Sequence, residues 1–337
     1  MSVITLISLC ALAAPIDELI AWADRHPAPT HPPPQIEGYR FAGPHLGALA
    51  AEAARRPAAV QIESIGTTTW GHPVWAFHVT DPDVPVTEEI LVFAGIHALE
   101  WISVEVAVQL LQELIERPPR GHRVTVIPLL NVDGRLKTED DVAMGRFDVY
   151  RRGNGARPPV DLNRDFAVNR EPTSVWRYIL PGYHATTPTG ALSQPETRAL
   201  DALAARHDYA RSVSLHAFGG YLYFPWAGRW ARPDDWATFV TLGRAMERAQ
   251  GALAYRPRQL SRWGFFFRAH GAEIDHLYGR YGTHAFLIEL TRSGIRPWRL
   301  LSDTRTYLRW YNPVHPRPHV ERGVAALRAL IRTSSPD

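Results

Sequence analysis

Ile90-Leu91-Val92-Phe93-Ala94-Gly95-Ile96-His97-Ala98-Leu99-Glu100-Trp101 is the stretch on which the reading of this chain turns. Its first five residues form an unbroken apolar run, as expected of a strand covered on both faces. Gly95 interrupts the run, and residues 100–116 then carry apolar side chains at helical spacing. Working outward, the same alternation continues. Residues 45–55 suit a helix. Val60 to Ile65 and Pro73 to Thr80 suit strands about a turn at Trp70-Gly71. Val124 to Leu130, Ser212 to Leu215 and Ala285 to Leu290 read as further buried strands, and helices fit at 195–206, 233–249 and 318–332. Strands alternating with helices predict one α/β domain around a mainly parallel sheet. Ligands of such sheets sit beyond the carboxyl ends of the strands.

Composition agrees with a folded domain. Of 337 residues, 45% are hydrophobic and 21% charged, which excludes a disordered chain and supplies a large core. The formal net charge of +3 is a small excess, so a nucleic-acid partner gains no support. Lys137 is the only lysine among the 37 basic residues. A single cysteine, Cys10, excludes an intramolecular disulfide and a cysteine-rich metal site.

Three segments are expected. Residues 1–13 contain an apolar run too short to span a bilayer, ending in Ala11-Leu12-Ala13, and read as a signal-peptide core. No basic residue precedes that run, which is the missing part of the signal pattern. The expectation is export to the periplasm or medium, with a cytoplasmic protein as the alternative and no stable membrane insertion. Residues 14–37 form a proline-rich N-terminal segment, in which 26–37 cannot be regular helix or central strand. Residues 38–337 form the main domain.

Several residues could carry chemistry. His97 and Glu100 stand three apart at the exit of a buried strand, a spacing that puts both on one face of a helical turn, where they can be two metal ligands. His216 ends the strand Ser212 to Leu215 and can be a third, leaving one position open. Glu289 is a carboxylate inside the apolar run Ala285-Phe286-Leu287-Ile288-Glu289-Leu290, costly unless paired or used. A base is also required to take a proton from an attacking water. Arg151-Arg152 and Asn163-Arg164 offer guanidinium and amide groups suited to binding a carboxylate or a developing oxyanion. Taken singly, each has an ordinary explanation as a surface pair, a strand-end histidine or a salt-bridged core acid.

Together, and in this order, the segments resemble the zinc metallocarboxypeptidase family of the carboxypeptidase A type, from about Pro57 to Gly294. Gly95 to Ser103 is similar to the first zinc motif. Asn131-Val132-Asp133-Gly134 is similar to the family's Asn-Pro-Asp-Gly turn, with valine for proline. Tyr150-Arg151-Arg152, Asp161-Leu162-Asn163-Arg164-Asp165-Phe166, Ser193-Gln194-Pro195-Glu196, Ser214-Leu215-His216 and Ile288-Glu289-Leu290 match the segments that follow.

The resemblance implies a three-layer α/β/α sandwich around a mixed, mainly parallel sheet, with one Zn²⁺ per chain. It implies that His97, Glu100 and His216 bind the zinc, Glu289 activates water, and Arg151 stabilises the oxyanion. Asn163 and Arg164 would hold a free terminal carboxylate, making the protein an exopeptidase whose partner is a peptide or protein C-terminus. Alternatives are an amidopeptidase or deacylase of the same family acting on cell-wall or acyl-amino-acid substrates, or a non-catalytic zinc- or peptide-binding relative. Oligomeric state is left open. Leu99 replaces the family's usual arginine, Phe265-Phe266-Phe267 replaces its mobile tyrosine loop, and Ala217-Phe218 follows the third ligand. Ile274, fifteen residues before Glu289, falls at the base of the side-chain pocket and predicts apolar C-terminal residues. An extended segment there would turn Glu273 and Asp275 away from the pocket, whereas a turn would let Glu273 enter.

Overall fold

The computed structural model describes residues 15–149, 151–292 and 307–333. The signal-like run 1–13 and Tyr150 lie outside them. Eight strands make one mixed sheet: β1 (Val60–Thr67), β2 (Pro73–Val79), β3 (Glu88–Ala94), β4 (His122–Ile127), β5 (Tyr209–Ala217), β6 (Tyr221–Phe224), β7 (Arg256–Gln259) and β8 (His284–Leu290). Their order across the sheet is β1-β2-β4-β3-β5-β8-β6-β7. The central strands β4, β3, β5 and β8 run parallel. β1 and β2 close one side antiparallel, and β6 returns antiparallel to β8 with β7 parallel beyond it.

The helices are α1 (15–24), α2 (Ala42–Ala54), α3 (Trp101–Glu116), α4 (Val132–Ala143), α5 (Pro195–Arg206), α6 (Trp236–Ala249), α7 (Glu273–Tyr281), α8 (Tyr307–Tyr311) and α9 (Arg317–Arg332). α2, α3, α9 and α6 pack in succession as one layer, while α5 and α7 pack on the sheet and on each other apart from that group. This is the expected three-layer sandwich. Residues Ile90 to Ala94 are fully buried, which is why β3 has no polar alternation.

One topological detail places the site. The chain leaves β3 through α3 to reach β4 on one side, whereas β5 joins the other side of β3. The crevice beyond the carboxyl ends of β3 and β5 is therefore a switch point. Gly95 makes the turn out of β3. Its φ is +66°, and a Cβ there would lie 2.6 Å from Leu129 Cδ1, so only glycine fits.

Some expectations change. The strand predicted at Val124 to Leu130 ends at Ile127, and the helix predicted from 233 begins at Trp236. The motif Asn131-Val132-Asp133-Gly134 opens the helix α4 rather than a simple turn, with Asn131 Oδ1 capping Gly134 N–H at 2.9 Å. The proline-rich N-terminal segment contains the helix α1, whose Leu19 and Trp22 are buried against the domain. The segment around Ile274 is not extended: Ala272 is the last extended residue, and α7 begins at Glu273.

Candidate functional site

The four elements of the site come from three parallel strands. His97 lies just beyond β3, and Glu100 is the residue before α3 begins. His216 is on β5 and Glu289 on β8, where the two are register partners. Register partners on neighbouring parallel strands project to the same face, so imidazole and carboxylate stand side by side. His97 Nδ1 lies 2.9 Å from Glu100 Oε1 and 3.1 Å from His216 Nδ1, and His216 Nδ1 lies 3.4 Å from Glu100 Oε2. One ligand atom from each of the three residues falls within 4.8 Å of the others. All three side chains are buried.

Each imidazole turns its second nitrogen to a carboxylate. His97 Nε2 lies 3.1 Å from Asp161 Oδ1, and Asp161 Oδ2 accepts from Arg152 Nε at 2.8 Å. His216 Nε2 lies 3.1 Å from Glu273 Oε1 and 2.7 Å from Ser214 Oγ. Glu100 Oε2 also accepts the Ala217 N–H at 3.0 Å. Burial alone would raise the Glu100 pKa, but the charge of His97 and hydrogen bonds from His216 and His97 hold it well below the usual carboxylate range. Burial would likewise depress His216, yet hydrogen bonds to Glu100 and Glu273 raise it to about 10 in the absence of a metal. For Asp161, the Arg152 and His97 charges outweigh burial and keep it ionised.

Glu289 differs from these acids. Its side chain keeps some contact with solvent, but Oε2 is closed off and has no hydrogen-bond partner among the described residues. Burial, and then the nearby Glu100 charge, push its pKa up to about 8. Gly219 lets the following loop fold over it, since a Cβ at Gly219 would lie 2.9 Å from Glu289 Cβ.

The remaining candidates are divided. Arg151 is not brought to the cluster; its guanidinium pairs with Asp141. The arginine that reaches the cluster is Arg152, with Nη1 3.5 Å from Glu100 Oε1. Asn163 and Arg164 occupy the short 3₁₀ turn Leu162–Arg164 two and three residues after Asp161. Asn163 Oδ1 accepts the Glu273 N–H at 3.0 Å, and Arg164 Nη1 donates to the Asn163 carbonyl at 2.7 Å. Asp165 pins this turn by accepting from Thr187, Ser193 and Thr197 hydroxyls and from Gln194 N–H. Ile274 is fully buried in the hydrophobic core. Tyr278 and Tyr281 are engaged elsewhere, with Asp235 and Asp201.

Sequence reading missed the roles of Asp161, Arg152 and Glu273. Asp161 stands inside a motif that was read for its Asn-Arg pair, and a carboxylate two residues before that pair was the available signal. Nothing local marks Glu273, whose partner His216 is 57 positions away.

Two imidazoles and one carboxylate are the zinc set of carboxypeptidase A. The donors fit such an ion here on chemistry: their ligating atoms converge, the outer ring nitrogens are held by acceptors that fix the tautomer, and Glu289 Oε2 stands alongside without a partner.

Comparisons with known proteins agree. A family model described as zinc carboxypeptidase matches residues 46–305. Carboxypeptidase O of Bos taurus is 23% identical over 234 residues, covering 65% of this chain and 58% of its own length. Carboxypeptidase A2 of Mus musculus is 24% identical over 259 residues, covering 72% and 60%. The chain therefore spans a little under two thirds of these relatives. Among solved structures, bovine thrombin-activatable fibrinolysis inhibitor superposes with a TM-score of 0.69 at 19% identity, covering 87% of this chain and 96% of that one. Carboxypeptidase A from Helicoverpa armigera gives 0.65 at 17% identity, covering 94% and 79%. With the family model spanning most of the domain, this chain belongs to the zinc carboxypeptidase family.

Proposed function

We propose that the protein is a zinc-dependent exopeptidase that hydrolyses the C-terminal peptide bond of peptides and proteins. The observation that carries this reading is Glu289 beside the three-donor cluster, with one carboxylate oxygen unpartnered. A bound zinc ion held by His97, Glu100 and His216 would polarise the scissile carbonyl and acidify the attacking water. Glu289 takes the proton from that water and passes it to the leaving amine. A pKa raised toward neutrality suits a group that must both accept and donate.

Asp161 fixes the His97 imidazole in the tautomer that leaves its Nδ1 free to ligate. Arg152 is better placed than Arg151 to face the oxyanion, because Asp161 aims it at the cluster. Asn163 and Arg164 bind the substrate's α-carboxylate, which restricts cleavage to the last bond. The Ile274 region takes an apolar terminal side chain.

Replacing Glu289 by Gln tests the reading. The variant should retain zinc and lose about 10²–10⁴-fold in kcat, since an amide cannot take up the proton. Near-normal turnover of a blocked C-terminal dipeptide by this variant would remove the proposed base. His216→Ala should in turn lose zinc, as two ligands remain where three are required.

A further inference from the structure

Glu273 is a fully buried carboxylate at the first position of α7. Its backbone N–H is held by Asn163 Oδ1, which fixes where the side chain begins. Its Oε1 lies 3.1 Å from His216 Nε2, the ring nitrogen pointing away from the metal cluster. Its Oε2 is closed to solvent and has no hydrogen-bond partner among the described residues. The equivalent acid behind His97 is Asp161, and the two differ in what balances their charge. Asp161 is paired with Arg152, whereas no arginine or lysine forms an ion pair with Glu273 among the described residues.

A buried carboxylate without a cation is strongly disfavoured, and the ion-pair partner of Glu273 among the described residues is the His216 imidazole, which is neutral when Nδ1 is a ligand. Two other cations could then balance Glu273 in the working protein. One is a basic side chain of the substrate, which would make Glu273 a selectivity anion. The other is the metal, acting through the His216 ring. The geometry favours the second, because Oε1 is already committed to Nε2–H on the outer side of the ligand. An imidazole that ligates through Nδ1 must carry its proton on Nε2, and a carboxylate acceptor there fixes both the tautomer and the ring plane.

We propose that Glu273 is a positioning residue for His216, matched to the metal's charge, and not the anion of a pocket for basic residues. This rests on the reading of His216 as a zinc ligand. Glu273 accepts the Nε2–H, holds the Nδ1 lone pair on the metal, and raises the basicity of the ring. Ser214 Oγ, at 2.7 Å from the same nitrogen, is a neutral neighbour that cannot supply the charge.

The test measures zinc affinity by competition with a chelator, for the full chain and for Glu273→Gln, Glu273→Ala and Ser214→Ala. Peptides ending in Phe, Leu, Lys and Arg are then compared at saturating zinc. Glu273→Ala should weaken zinc binding by about 10–100-fold, as loss of an outer partner of a metal ligand does. Glu273→Gln should weaken it by about tenfold, keeping an acceptor but not the charge. Ser214→Ala should change it by no more than about threefold, and the order of preference among the four peptides should not move. If Glu273→Ala does not fold, Glu273→Gln decides alone. Zinc affinity within about threefold of the parent in the Glu273 variants overturns the inference. So does a tenfold or greater selective loss on peptides ending in Lys or Arg. His216→Ala separates the two levels: full zinc retention there removes the ligand reading itself. Zinc loss in His216→Ala with normal binding in the Glu273 variants removes only the role given to Glu273.

Discussion

Arg151 and Arg152 are neighbours in sequence with opposite destinations. Arg151 turns to Asp141, on the last part of α4, and shares that acid with Arg146. Arg152 turns to Asp161 and Glu100. Their partners lie apart, so a one-residue shift in alignment exchanges their roles. Arg152→Ala should lower kcat by about 10²–10³-fold, the usual loss when an oxyanion donor is removed. Arg151→Ala should leave kcat within about threefold, because its partner lies away from the cluster. Steady-state kinetics on one blocked dipeptide decide between them, and the reverse ranking would restore Arg151. Histidine, glutamate and arginine types were legible here because strand ends and motif order single them out. Which of two adjacent arginines reaches the cluster is set by Asp161, and no pattern in residues 151–152 carries that information.

Among the elements, α3 shows how the site is held from a distance. Asn312 follows α8, and its amide ties that helix to the start of α3. Oδ1 accepts from Ile102 N–H at 2.9 Å, and Nδ2 donates to the Leu99 carbonyl at 2.7 Å and the Leu308 carbonyl at 2.9 Å. Glu100 sits between the two anchored residues. Asn312→Ala leaves the Ile102 N–H and the Leu99 carbonyl without this partner at about 1 kcal/mol or more each, so a loss on the order of 2 kcal/mol is expected. Urea unfolding measures it, and a chelator titration should show weaker zinc binding as Glu100 loosens. A change below about 0.5 kcal/mol, the range of an ordinary surface substitution, would contradict this anchoring role.

α4 was hidden from sequence because it is buried through paired polar groups rather than an apolar stripe, and α7 adds such pairs to a short stripe of Ile274, Leu277 and Tyr278. Arg135 lies 3.8 Å over the Trp101 ring and binds Glu139 at 2.7 Å, while Asp133 accepts from Thr68 and from Trp70 N–H. On α7, Asp275 accepts from Ala227 and Gly228 N–H groups, and His276 meets Asp201. Hydrophobic periodicity is silent about such pairs. β3 and β8 were legible because apolar burial on both faces leaves the runs Ile90 to Ala94 and Ala285 to Ile288.

Across the whole molecule, buried neutral histidines set the response to acid. His45 is fully buried, neither ring nitrogen has a hydrogen-bond partner among the described residues, and Glu105 Oε1 is 3.7 Å away. Burial, then the Arg40 and Arg135 charges, depress its pKa well below 6.5. The unfolded chain therefore binds a proton that the folded one refuses. The stabilising contribution is fully present above pH 6.5 and is lost as pH falls below it toward the folded pKa. Each pH unit in that window costs up to about 1.4 kcal/mol for this one group. His72, His78, His184, His270 and His276 are shifted in the same direction, chiefly by burial. These groups give the unfolding free energy a downward slope from pH 7 to pH 5, opposed by Glu289 and Asp275, whose pKa values are raised to about 8 and about 6 and which gain stability as pH falls. His45→Leu should flatten that slope by about one such increment whatever its effect at pH 7. An unchanged slope would mean that His45 is already charged in the folded protein.

The crevice between β3 and β5 is assembled from distant parts of the chain. His97 meets a partner 119 positions on, and the start of α3 is tied to an amide 210 positions away. A ribosome builds the chain from its N-terminus, so Glu289 and Asn312 arrive after most of the domain has been made. Until they arrive, the nascent polypeptide lacks both the proposed base and the final brace. The cleavage power proposed for the finished protein is thus withheld through most of its own synthesis.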